Sequence, residues 1–292
     1  MSVGEFWELS VGAPEEISEG LTNFAWEHGA LGVLEEDVDG EPRLRAFFPA
    51  EASALLLADR LRAYLEGLRT LGFAARDDTR LAPVTDPGWA VAWRDHFRPR
   101  AVGERLLIAP PWDAPAVGDR ITIAIEPGRA FGTGQHGSTV GCLAMLERIV
   151  ERRRVAWALD LGTGSGILAI AAARLGIARI LAIDSDPDAV ANARANVALN
   201  GVGSHVSCAV GDLAALAVEP APLVLANILA ATHARFAHVY RGLVIPGGLL
   251  VLGGMLETEA DRTAEALEGV GFAAGQTLIH EGWATLELIR PG

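Results

Sequence analysis

The stretch Val155-Ala-Trp-Ala-Leu-Asp-Leu-Gly-Thr-Gly-Ser-Gly166 constrains this chain more than any other. An apolar run ends on Asp160 and Leu161. Three glycines follow at 162, 164 and 166, and Ile167-Leu-Ala-Ile-Ala-Ala-Ala-Arg-Leu-Gly176 then has a helical pattern stopped by glycine. Strand, glycine turn and helix in that order let a backbone approach a nucleotide-sized ligand closely. A second apolar run, Ile180 to Ile183, ends on Asp184. A carboxylate there can accept hydrogen bonds from both hydroxyls of a ribose.

The glycine spacing separates two ligand classes. A nicotinamide or flavin site wants G-x-G-x-x-G. Here the third glycine comes one residue early, and Ile167 fills the dinucleotide position. Asp160 before the turn would repel a pyrophosphate, whereas it suits a cationic methionine group. The pattern resembles the S-adenosylmethionine site of doubly wound methyltransferases.

Downstream, strand-like and helix-like segments alternate. Strands are expected near 155–161, 178–183, 206–210, 222–226, 248–253, 272–279 and 283–289, and helices near 138–151, 166–175, 187–200, 229–242 and 257–270. Asp186-Pro187 and Asn200-Gly201 are start and stop signals for the third of these helices. Such alternation implies a mainly parallel sheet covered on both faces. The last two strands have no helix between them, so a hairpin at Glu281-Gly282 makes the final strand antiparallel. Arg105–Ala109 and Ile121–Ile125, around a proline-rich turn, read as another hairpin.

Upstream of this region the pattern changes. Phe6–Val11 reads as a strand, Ala13 to about His28 as a helix, Leu31–Glu35 and Arg43–Phe48 as strands, Ala54–Leu68 as an amphipathic helix, and Phe73 to about Leu81 as a fourth strand. The order βαββαβ matches a ferredoxin-like module. We therefore expect a ferredoxin-like α+β domain at 1–84, a linker with a short helix at 85–104 carrying Trp89 and Trp93, and a doubly wound α/β domain at 105–292.

Composition narrows the function classes. The net charge of −13 argues against nucleic acid as the main ligand and favours a basic partner. Residues 1–80 hold 16 acidic and 7 arginine side chains, so they carry −9 of that total. The chain has no lysine. Its two cysteines, Cys142 and Cys208, offer neither a metal-ligand spacing nor a disulfide framework, which fits a reducing cytoplasm. No apolar run is long enough to span a membrane, and the N-terminus lacks the layout of a secretory signal.

Two further motifs fall where a ligand would bind. Glu126-Pro-Gly-Arg-Ala-Phe-Gly-Thr-Gly-Gln-His-Gly-Ser-Thr139 is a glycine-rich loop before a helix, able to present backbone N–H groups to a carboxylate. Ser138 or Thr139 suits the helix N-cap, and His136 is either a base or a locally bonded loop histidine. Leu225-Ala-Asn-Ile-Leu-Ala230 ends the fourth strand of the large domain. Asn227 there offers a neutral carbonyl acceptor to an amine, or caps the next helix.

With these motifs, residues 85–292 resemble the ribosomal protein L11 methyltransferases of the PrmA family. The elements that carry the resemblance are Glu126-Pro-Gly through Phe131-Gly-Thr-Gly-Gln-His136, Asp160 to Ala171, Ile183-Asp-Ser-Asp-Pro187 and Ala226-Asn-Ile-Leu-Ala230. The resemblance implies S-adenosylmethionine as cofactor, contacted by Thr139, Gly162, Asp184 and Asn227; Phe131 and Gly164 are further candidate contacts, and Asn227 is the candidate to orient the amine. It implies no metal. It further implies transfer of methyl groups to lysine ε-amines, and an N-terminal α-amine, of the ribosomal protein, with the N-terminal domain reading that substrate. Rivals are a related methyltransferase acting on another protein lysine or a small molecule, and a non-catalytic ribosome-assembly factor. Gly137 replaces a bulkier residue of many relatives, which should loosen the loop.

Overall fold

The computed structural model describes residues 6–30, 32–38, 40–49, 52–70, 72–84, 98–115, 118–126, 134 and 136–292. The chain divides into two compact units, Met1–His96 and Phe97–Gly292. The expected helix carrying Trp89 and Trp93 lies outside the described residues.

The first unit runs β1 (Phe6–Gly12), α1 (Glu15–Glu27), β2 (Gly32–Val38), β3 (Glu41–Pro49), α2 (Ala54–Thr70) and β4 (Arg80–Val84). Its antiparallel sheet has the order β2-β3-β1-β4. That is the split βαβ, ferredoxin-like arrangement. Leu57, Leu61 and Leu65 repeat every four residues along α2 and are buried with Leu9, Val11, Leu44 and Phe48. Burying each such leucine contributes about 1.5–3 kcal/mol. The fourth strand begins later than Phe73. The reason is a side chain: Asp78 accepts a hydrogen bond from the Gly12 backbone N–H at 2.8 Å and pairs with Arg43 at 2.6 Å. A carboxylate thus holds the end of β1, and ladder pairing starts only at Ser10 with Arg80.

The second unit opens with β5 (Arg100–Val102), β6 (Leu106–Ala109) and β7 (Ile121–Ala124). The hairpin expected between Arg105–Ala109 and Ile121–Ile125 does not form, because β6 and β7 are parallel. The hairpin instead joins β5 to β6, with Gly103 at φ +55° in the turn. Glu147 is buried and accepts from the Glu104 and Arg105 N–H groups of that turn, at 2.9 and 3.0 Å.

The main sheet follows: α3 (Gly137–Arg152), β8 (Trp157–Leu161), α4 (Ile167–Arg174), β9 (Arg179–Asp184), α5 (Pro187–Leu199), β10 (Val206–Val210), β11 (Ala221–Asn227), α6 (Ala230–Leu243), β12 (Val244–Leu256), α7 (Ala260–Glu268), β13 (Ala273–His280) and β14 (Trp283–Ile289). The strand order is β10-β9-β8-β11-β12-β14-β13. The first five are parallel, and β14 runs antiparallel between β12 and β13. Glu281 and Gly282, at φ +50° and +78°, make the tight turn of the closing hairpin. One core packs α3 and α4 against the sheet around Leu143, Ile170 and Leu223. The other packs Tyr240, Leu243 and Leu267 against Leu159, Val224 and Leu250. The order reverses on either side of β8, the kind of switch point at which open α/β sheets bind ligands in a crevice outside the strands' carboxyl ends, here those of β8, β9 and β11.

Candidate cofactor and methyl-transfer site

Four of the residues singled out from the sequence end strands or begin a helix at that crevice. Gly162 follows β8, Asp184 ends β9, Asn227 ends β11, and Thr139 lies in the first turn of α3. Phe131 lies outside the described residues.

The glycine turn is built from its backbone. Gly162 and Thr163 both donate to the Ile183 carbonyl, at 2.8 and 3.0 Å, so the turn leans across the end of β9. Gly162, Gly164 and Gly166 have φ of +69°, +54° and +83°, a region that glycine enters freely. A Cβ at Gly162 would collide with Ile228 beyond the end of β11. A Cβ at Gly166 would press on Ala193 at 3.2 Å, so this glycine sets how closely α4 approaches α5. Ile167, at the position a dinucleotide fold keeps for glycine, is part of the buried core.

Two carboxylates flank the turn. Asp184 accepts from Gly164 N–H at 2.9 Å and from Asp186 N–H at 3.1 Å. A carboxylate has about four acceptor positions, so capacity for a ligand hydroxyl remains. Asp160 is 1% exposed, and its Oδ2 accepts from the Thr163 hydroxyl at 2.6 Å and Ala169 N–H at 3.1 Å. Its Oδ1 is buried without a partner. Burial pushes the Asp160 carboxyl up to about 6. Hydrogen bonds from Thr163 and Ala169 oppose this, and the charge of Asp184 adds to it.

Asn227 does not cap the following helix. Residue Leu229 occupies that position, with no side-chain cap. The Asn227 Nδ2 donates to the Thr139 hydroxyl at 3.2 Å, and its Oδ1 is buried and unpartnered. Thr139 is fully buried, so its hydroxyl supports Asn227 rather than the helix end. The cap of α3 is instead His136, whose Nδ1 accepts from Ser138 N–H at 3.3 Å. Its ring stands edge-on to Trp283 at 4.2 Å. Gly137 is close-packed rather than loosening: a Cβ there would lie 2.9 Å from the His280 carbonyl oxygen and from Trp283.

Asn200 is the helix stop that the sequence marks, the C-cap of α5, whereas the sequence reading passed over Asn196. Asn196 donates from Nδ2 to the Ser165 carbonyl at 2.9 Å and accepts from Glu126 N–H at 3.0 Å. Asn200 brackets Ala124, accepting from its N–H at 2.9 Å and donating to its carbonyl at 2.6 Å. Together they tie the glycine turn to the start of the loop at 126–139. The available signal was Asn196 four residues after Asn192 and four before the Asn200 cap, since asparagine is disfavoured in helix interiors without such work.

The residues present fit a nucleoside bearing a cation. Positive-φ glycines leave room beside the backbone, Asp184 retains acceptor capacity, and two orphaned oxygens offer electron density without competing donors. A concavity of about 610 Å³ on the first unit lacks this character; there Arg45 pairs with Glu8. Among the described residues no group of three or more His, Cys, Asp or Glu could hold a metal. No described helix is long and apolar enough to cross a membrane.

Comparison with known proteins agrees with this geometry. The family model described as ribosomal protein L11 methyltransferase (PrmA) matches residues 5–291. This chain belongs to that family. A ribosomal protein L11 methyltransferase of Gloeobacter violaceus is 37% identical over 292 residues, covering 97% of this chain and 89% of the relative. One of Pelotomaculum thermopropionicum is 35% identical, covering 97% and 98%. The crystal structure of a ribosomal protein L11 methylase from Lactobacillus delbrueckii subsp. bulgaricus superimposes with a TM-score of 0.60 at 30% identity, over 67% of this chain and all of that one. Membership of the PrmA family therefore rests on nearly the whole chain, including the small first unit.

Proposed function

We propose that this chain transfers methyl groups from S-adenosylmethionine to lysine ε-amines, and to an N-terminal α-amine, of ribosomal protein L11 in the cytoplasm. The observation that carries the reading is the Asn227 carboxamide. It is held by Thr139 through its nitrogen while its oxygen stays unpaired at the switch point of the sheet.

The cofactor supplies a methyl group already activated on a sulfonium. The work left to the chain is alignment, exclusion of water and acceptance of the amine. Asp184 would accept the ribose hydroxyls, and Gly162 and Gly164 would let the backbone approach the ligand. Phe131 is a further proposed contact to the cofactor. Asn227 Oδ1 accepts an N–H of the incoming amine and so aims its lone pair. Being neutral, it does not hold the amine in its protonated form, as a carboxylate would. A lysine amine has an ordinary pKa of about 10.4 and must lose its proton first; burial lowers that value.

In this reading residues 105–292 perform the chemistry, 85–104 join the units, and 1–84 read the substrate. The −9 charge of residues 1–80 suits a lysine-rich partner. The test is mass spectrometry of purified ribosomal protein L11 before and after incubation with the chain and S-adenosylmethionine. Stepwise methyl gain at lysines, slowed but still measurable in Asn227→Ala while that variant keeps its melting temperature, supports the proposal. No methyl gain would return the chain to the assembly-factor class, and gain only on other acceptors would reassign the substrate.

A further inference from the structure

Strand β12 carries an irregularity next to Asn227. On its parallel side Asn227 pairs with Gly253. On its antiparallel side the register passes from Leu252–Leu286 to Met255–Ala284, so Gly253 and Gly254 together face one residue of β14. A bulge of this kind takes backbone groups out of the ladder. The Gly253 carbonyl finds its partner in a side chain, His233 Nε2 on α6, at 2.8 Å. The other ring nitrogen, Nδ1, lies 3.0 Å from the Tyr240 hydroxyl, two turns along the same helix face. Both residues are fully buried.

The proton positions follow from the chemistry. Burial holds His233 down at about 4, against backbone hydrogen bonds to Gly253 and Ile228, so the ring is neutral. A neutral imidazole has one N–H, and a carbonyl only accepts. The hydrogen therefore sits on Nε2 and points at Gly253, and Tyr240 donates its hydroxyl to Nδ1. Tyr240 thereby fixes the tautomer.

Gly253 in turn defines the space Asn227 occupies. A Cβ on Gly253 would stand 2.9 Å from Asn227 Oδ1 and would collide with Cys142 Sγ. A Cβ on Gly254 would collide with the Ile228 backbone. The two glycines form a wall against the Asn227–Ile228 segment, and the histidine pins that wall from behind.

We propose that His233 is a positioning residue for methyl transfer: its Nε2–H, oriented by Tyr240, anchors the bulged Gly253 carbonyl and through it places the Asn227 carboxamide. The proposal rests on the reading of Asn227 given above.

The test uses the full chain, S-adenosylmethionine and purified ribosomal protein L11, with Tyr240→Phe, His233→Gln, His233→Phe and Asn227→Ala made singly and His233→Phe and Tyr240→Phe also made in the Asn227→Ala background. Tyr240→Phe removes one oxygen and keeps the packing, so it remains informative if His233→Phe does not fold. Two readouts are taken. One is kcat against the KM for cofactor. The other is the side-chain amide signal of Asn227 in asparagine-labelled protein without ligand, assigned by its loss in Asn227→Ala.

His233→Phe should lower kcat about tenfold or more with the cofactor KM within about twofold, the pattern of a lost transition-state contact. It should also displace the Asn227 signal. Tyr240→Phe should do the same more weakly, and His233→Gln, which restores an N–H donor, should recover most of kcat. In the Asn227→Ala background these effects on kcat should vanish while those on melting temperature persist. Unchanged kcat and an unmoved Asn227 signal in Tyr240→Phe and His233→Phe would overturn the proposal. So would a loss of kcat that is equally large without Asn227. If Asn227→Ala alone keeps its kcat, the reading of Asn227 is the part that fails, and this inference falls with it.

Discussion

Replacing Asp160 with asparagine should stabilise the ligand-free protein and impair its grip on a cationic cofactor. The carboxyl is 1% exposed, bonded through Oδ2 to Thr163 and Ala169, and orphaned at Oδ1. Its pKa rises from 3.8 to about 6, chiefly through burial. At 1.36 kcal/mol per tenfold change in proton affinity, keeping it ionised at neutral pH costs the folded state about 3 kcal/mol. The sign follows from proton linkage: a group with a raised folded pKa binds more protons folded than unfolded. Its favourable contribution is fully present below 3.8 and is lost as pH rises through about 6. Asparagine stays neutral throughout. With its carbonyl oxygen in the Oδ2 position it still accepts from Thr163 and Ala169, and the orphan position stays unpaired in both proteins.

Asp160→Asn should therefore gain up to about 3 kcal/mol at pH 7, a rise of about 6–12 °C in the melting transition of a unit this size. The gain should disappear in acid. Calorimetric unfolding of the apo protein across pH 4 to 8 measures it. Titration with S-adenosylmethionine and with its neutral thioether product should show the preference for the cation narrowed. A variant less stable than wild type at pH 7, or one with the same pH dependence, would refute the account of Asp160 as a buried charge kept for its ligand.

Asp184→Ala should weaken cofactor binding by about 1.5–3 kcal/mol, the worth of a hydrogen bond to a charged group; equal affinity in calorimetry on a folded variant removes the ribose role. Gly162→Ala places a Cβ at φ +69° against Ile228, so it should cost about 1–3 kcal/mol, and an unchanged melt would show the turn less confined than described. Deleting residues 1–84 should leave cofactor affinity intact and abolish efficient methylation of ribosomal protein L11. Methylation by the full chain should also fall as salt screens surface charge beyond a Debye length of about 8 Å at 0.15 M. Equal methylation by the truncated form would mean that the first unit is not the substrate reader.

Much of the site is local in the chain and was legible there. The turn at 162–166 needs positive φ at three positions, and glycine is the residue that supplies it cheaply. Asp186 caps α5 through the Asp188 N–H at 2.8 Å, and Pro187 takes the first helical position, as their order in the sequence implied. The failures were of a different kind. The β6–β7 pair alternates like a hairpin, but side-chain period does not encode strand direction, and the intervening segment carries Ile121 round to a parallel alignment. The fourth strand of the first unit starts at Arg80 because Asp78, just before it, takes the N–H of Gly12, 66 residues away in sequence. The α3 cap went to His136 rather than to the hydroxyl residues beside it, which are drawn into the buried first turn.

By itself, then, the sequence determined the elements, their order, the glycine turn and the acids that flank it, since propensity, caps and φ requirements act over a few residues. Only the tertiary structure decided what those residues face. Asn227 and Thr139 are 88 positions apart and meet at 3.2 Å because α3, which precedes β8 in the chain, packs across β11 and β12. Likewise, His233 reads as an ordinary helix residue until the bulge in β12 presents it with a carbonyl. Partners of that kind are chosen by packing between distant segments, and one chain's local pattern holds no record of them.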